Sequence, residues 1–110
     1  MADFFYKGDE IKFSVDLQAP GFSMDDDDFD IEVKSSRGGT PAAASKESPA
    51  QDGSLVIFKE EGTWYAIVDT TNLAAGDLTV VATAHIPDAH ANDGIRRQSD
   101  VKALCPLKTK

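Results

Sequence analysis

Three aspartates at alternate positions, Asp26, Asp28 and Asp30, form the most chemically suggestive group in this chain. A hard cation such as calcium wants clustered carboxylate oxygens, and this spacing matches the first ligands of a calcium-binding loop. The match then fails. Ile31 stands where such a loop turns on glycine, and Arg37 stands where its bidentate glutamate belongs. The run is therefore expected to be an acidic, solvated entry to a strand, with Asp28 and Asp30 on the wet face beside a buried Phe29 and with no metal bound. A second group brings His85 and His90 together with Asp88 and Asp93. Zinc needs several such ligands in one geometry, and nothing in this spacing forces the two imidazoles together. A turn is expected instead, in which Asp and Asn bond their own backbone and Gly94 takes the left-handed conformation. Arg96 and Arg97 are a small basic island, expected to pair with the 25–30 run or with Glu60 and Glu61, or to dock on an acidic partner.

The remaining signatures of chemistry are missing. The sequence has no serine elbow, no phosphate-binding glycine loop, no paired-histidine helix and no paired CxxC. Its single cysteine, Cys105, cannot form an internal disulfide. No sequence signature supplies the basic partner that a catalytic thiol needs, so it reads as a small hydrophobe in a strand over 101–105. No catalytic, cofactor-binding or metal-binding residue is assigned, and the chain is expected not to be an enzyme.

What would position these residues is a set of short strands. Glu10–Leu17 alternates strictly, with Ile11, Phe13, Val15 and Leu17 inward and Lys12, Ser14 and Asp16 outward. Residues 29–34 repeat the pattern through Phe29, Ile31 and Val33. Leu55–Phe58 and Thr63–Asp69 flank Glu60-Glu61-Gly62, a hairpin loop in which Gly62 supplies a positive φ. Trp64, Ala66 and Val68 then share one face. Leu73 is placed to plug a core end, with Gly76 turning the chain. Leu78–Ile86 is the longest strand, and Ile95–Cys105 the last. Residues 35–53 are rich in Gly, Ala, Ser and Pro and read as a mobile loop with a turn at Gly38-Gly39 and a short strand or helical turn near 42–46. Residues 106–110 read as a frayed tail. Six or seven short strands with no helix predict an all-β, immunoglobulin-like antiparallel sandwich.

The 110 residues form one domain, and 41% hydrophobic with 27% charged residues excludes a disordered chain or a coiled coil. No apolar run approaches the length of a membrane span, and the N-terminus shows no export signal. The formal charge is −8, concentrated in residues 1–55, where 12 acidic residues face 5 basic ones. Such a field repels phosphate backbones and anionic surfaces, so neither nucleic acid nor membrane is expected as a partner.

Several segments in order carry a family resemblance: Tyr6-Lys7-Gly8-Asp9; Gly21–Phe29 with its aspartate run; Gly62-Thr63-Trp64-Tyr65 with Val68-Asp69-Thr70-Thr71; the Leu73 to Gly76 corner; and Ile86-Pro87-Asp88 with Asp93-Gly94-Ile95-Arg96. The set resembles small proteins encoded in prophages of gut anaerobes near genes for virion structural parts. More distantly it resembles the immunoglobulin-like N-terminal domain of phage upper-baseplate and tail-fibre proteins. The resemblance covers most of residues 6–97. It implies a non-enzymatic structural module of a virion, made in the bacterial cytoplasm, whose partners are other virion proteins. An immunoglobulin-like adhesion or carbohydrate-binding module at the cell surface or in the periplasm is the alternative, with Trp64 or Tyr65 stacking on a sugar.

Overall fold

Apolar residues at every second position give each strand one face to bury, and two sheets stacked on those faces satisfy all of them. The computed structural model describes residues 4–46 and 53–109. Its strands are β1 (Phe5–Tyr6), β2 (Glu10–Val15), β3 (Phe29–Ser35), β4 (Ala42–Ser45), β5 (Leu55–Glu60), β6 (Thr63–Asp69), β7 (Leu78–Pro87), β8 (Ile95–Ala103) and β9 (Leu107–Lys108). One antiparallel sheet has the order β2-β6-β5 and the other β4-β3-β7-β8, while β1 and β9 form a small parallel pair. The chain crosses between the sheets after β2, β4 and β6, and closes hairpins at β3-β4, β5-β6 and β7-β8. That is the Greek-key arrangement of an immunoglobulin-like sandwich. Seven strands build the two main sheets.

The inward set is the one that alternation selects. Ile11, Phe13, Val15, Ile31, Val33, Ala66, Val68, Leu78, Val80, Ala82, Ala84 and Ile86 are all buried. Phe29 is completely buried and meets Trp64 and Phe22 edge-on, with ring centroids 5.5 and 6.5 Å away. The β5-β6 hairpin closes through Glu61 at φ 51° and Gly62 at φ 82°. Two successive positive φ values are what a tight turn matching the sheet twist requires. Leu73 plugs the core end at 1% exposure.

Three expectations are adjusted. The short strand expected near 42–46 forms, so the 35–53 segment is not one continuous loop. It contains β4, paired to β3 from Asp30↔Ser45 to Val33↔Ala42, and a bridge from Gly39 to Leu73. Gly39 is required there: at φ +85°, a Cβ would lie 2.6 Å from both Asn72 O and Ala74 N. Residues 47–52 of that expected loop lie outside the described residues. Second, the tail is held along 106–109. Leu107 is buried and exchanges backbone hydrogen bonds of 2.7 and 2.8 Å with Gly76, while Phe5 and Lys7 N–H groups donate to Pro106 O and Lys108 O. Third, β8 ends at Ala103, so half-buried Cys105 lies in the link to β9 and not in a strand.

Candidate interaction surfaces

The acidic run does not converge on one point. Asp25 accepts from Lys59 Nζ at 2.8 Å and from Trp64 Nε1 at 3.0 Å. The Lys59 hydrogen bond first, and the indole N–H second, hold its carboxyl below the usual range. Asp27 accepts from the Ser23 N–H and closes its own turn. Asp28 and Asp30 flank His85, at 3.5 Å from Nδ1 and 2.8 Å from Nε2. The sequence offered these aspartates and His85 as parts of two separate groups. The β3-β7 pairing, which sets Phe29 opposite Ala84, joins them on the outer face of one sheet.

His90 is in a different place. It lies in the β7-β8 loop, where its backbone N–H donates to Asp88 Oδ1 at 3.0 Å. Asp93 accepts likewise from the Ile95 N–H at 3.2 Å, and Gly94 has φ +79°. The expected self-bonded turn therefore forms. Arg96 and Arg97 do not reach the 25–30 run or Glu60 and Glu61. Arg96 Nε meets Asp88 at 3.2 Å and Arg97 meets Asp93 at 3.0 Å. The reason is local: the hairpin brings its own loop carboxylates within reach before any distant ones. Asp88 is lowered mainly by the His90 N–H and then by Arg96, and Asp93 mainly by Arg97 and then by the Ile95 N–H.

The two aromatics considered for sugar stacking are already faced by cations. Tyr65 stacks with Phe58 at 5.9 Å, and Lys12 Nζ sits 4.5 Å from the Tyr65 centroid and 5.4 Å from that of Phe58. Trp64 is half-buried, with Lys46 Nζ 5.5 Å from its ring. Lys46 is fixed in turn by the carbonyls of Met24 and Asp25. A sugar ring would have to displace an ammonium at either site.

The open features are edges. The four-stranded sheet is one strand wider than its neighbour, and β8 overhangs. Its register with β7 runs unbroken from Thr79↔Ala103 to Pro87↔Ile95. The residues of β8 opposite inward Val80, Ala82, Ala84 and Ile86 are Lys102, Asp100, Gln98 and Arg96, all polar. Beneath the overhang a cleft of about 90 Å³ is lined by Phe13, Val15, Leu17, Val80 and Ala82, with Asp100 and Lys102. It is well below the volume of an ordinary small-molecule site. On the other side of the strand, Ile95 and Val101 are exposed at 37% and 64%.

One contact set escaped the sequence reading. Thr70, fully buried, donates from Oγ1 to Asp9 O at 2.7 Å and accepts from the Gly8 N–H at 2.9 Å. It latches the Tyr6–Asp9 turn onto the strand end at Val68–Thr71, joining two of the segments singled out above. The signal available was only a threonine following an apolar strand, which is common. Comparison with known protein families, with curated proteins and with solved structures finds no match to this chain.

Proposed function

We propose that this chain is a non-enzymatic structural module of a phage or prophage virion, in the tail, baseplate or fibre region, acting through protein–protein contact. The virion part of the reading rests on the sequence resemblance, and the observation that supports its contact role is the β8 edge: a nine-residue strand with no neighbour on its outer side among the described residues and with exposed Ile95 and Val101. An unpaired edge offers a row of backbone donors and acceptors to another chain. The carboxylates support a contact role over a catalytic one, since Asp25, Asp88 and Asp93 are each engaged by a different neighbour. The ammonium groups over Tyr65 and Trp64 favour this reading over carbohydrate binding. Mass spectrometry of particles purified after prophage induction tests the proposal. The chain is expected in the particles at a fixed ratio to other structural proteins; its absence from intact particles would overturn the reading.

A further inference from the structure

The open edge of β8 matches itself. Leu104 N–H donates to Leu78 O, and Asp88 N–H to Gly94 O, each at 3.0 Å. Both pairs continue the β7-β8 register, so they set its phase. In antiparallel pairing, bonded and non-bonded pairs alternate. The backbone groups of Arg96, Gln98, Asp100 and Lys102 therefore turn toward β7, and those of Ile95, Arg97, Ser99 and Val101 turn toward the open edge. The strand contains no proline and no glycine, and its register shows no bulge.

Consider a second β8 laid antiparallel along this edge, with the two-fold axis through Gln98. Arg96 then faces Asp100 of the second copy, and Asp100 faces Arg96, in the closely spaced non-bonded pairs. Ile95 faces Val101 in the hydrogen-bonded pairs, on the opposite side of the sheet. Both exposed apolar residues of the edge are thereby covered, each by the other. Neighbouring registers lose this. An axis through Ser99 sets Arg96 against Lys102 and Val101 against Arg97; an axis through Asp100 sets the two aspartates against each other. Like charges directly opposite are destabilising, and opposite charges or apolar pairs are favourable. Arg96 already donates to Asp88, to the Gln98 side chain and to the Pro20 carbonyl, at 3.2, 3.2 and 3.1 Å, so Asp100 of the second copy must share or replace one of these partners; Asp100 itself makes no ion pair among the described residues. The free edge of β2 is a weaker candidate, because it is six residues long against nine in β8.

We propose that β8 pairs with β8 of a second copy of this chain about Gln98, joining the two four-stranded sheets into one continuous sheet. The contact is isologous, so it closes as a dimer and does not propagate. Net charge of −8 on each copy opposes association, so the dimer should tighten as salt rises from very low concentration and screens that repulsion.

Sedimentation equilibrium of the full chain at roughly 100 µM tests it. The wild type is expected at twice the chain mass. Asp100→Arg should weaken the dimer by about tenfold or more, since it sets Arg against Arg at both contacts. Arg96→Asp should do the same, and an equimolar mixture of the two variants should recover the dimer, because each Arg then meets an Asp. Arg96→Asp also removes a fold contact, so Val101→Pro provides a separate test. It deletes an N–H that faces the open edge and spares the bonds to β7, and should give a folded monomer by circular dichroism. A monomeric wild type, or a dimer indifferent to Asp100→Arg and Val101→Pro, would overturn the pairing. The pairing rests on the contact role proposed for this edge and names a second copy as its partner; either result leaves the assignment to a particle to the mass-spectrometry test.

Discussion

Leu107→Ala probes whether the C-terminal segment is part of the fold. Leu107 is 2% exposed and lies between the β1-β9 pair and the Leu73 to Gly76 corner, where its backbone is bonded to Gly76 in both directions. A buried Leu→Ala change costs about 2–5 kcal/mol, the transfer of the lost methyl groups plus the cavity they leave. The site is near a chain end and can partly collapse, so the lower half of that range applies, about 3 kcal/mol. A domain of this size loses roughly 4 °C in Tm per kcal/mol, so the midpoint should fall by about 12 °C. Urea unfolding followed by the fluorescence of Trp64, the single tryptophan, gives the free energy directly. Thr109→Ala, at an exposed neighbour, should change stability by less than about 0.5 kcal/mol. If Leu107→Ala also falls within about 0.5 kcal/mol of wild type, the segment frays in solution and the argument is wrong.

Other outcomes follow from the same geometry. Thr70→Val keeps the shape but leaves the Gly8 N–H and Asp9 carbonyl without their hydroxyl partner; it should cost about 1–3 kcal/mol in chemical denaturation, and Thr70→Ser should recover most of it. Gly39→Ala should cost about 2 kcal/mol or more, because both the positive φ and the contact with Asn72 and Ala74 oppose a Cβ; an unchanged melting curve would refute the bridge to Leu73. Asp25 should titrate below the ordinary carboxylate range by NMR, and Lys59→Met should move it back up. A lowered folded pKa contributes stability above the unfolded value and loses it as pH falls through the folded one. The Asp25–Lys59–Trp64 contact should therefore persist at neutral pH and break only in acid below the usual carboxylate range. A normal Asp25 titration would sink this account. The same sign holds for Asp88 and Asp93, so the β7-β8 loop should also open only in acid, read by amide exchange of His90 and Ile95.

The sequence alone determined which side of most strands is buried. Strict alternation from Ile11 to Leu17, from Phe29 to Val33 and from Leu78 to Ile86 leaves one consistent core face, because a slip of one residue would expose every apolar side chain. The local turns were legible for a similar reason: Gly62 and Gly94 occupy conformations that few other residues accept. What the tertiary structure decided is which strands become neighbours. Only the pairing of β3 with β7 brings His85 to Asp28 and Asp30, two stretches separated by half the chain. Only the stacking of a four-stranded sheet on a three-stranded one leaves β8 overhanging, with polar Arg96, Gln98, Asp100 and Lys102 on its core side. Leu107 looked like a loose end because a two-residue strand has no periodicity to read; burial against a corner more than thirty residues earlier is what holds it. Local patterning specifies faces, since side-chain direction follows from the backbone of a few residues. Edges, latches and plugs depend on contacts distant in sequence, and no single stretch of chain encodes those.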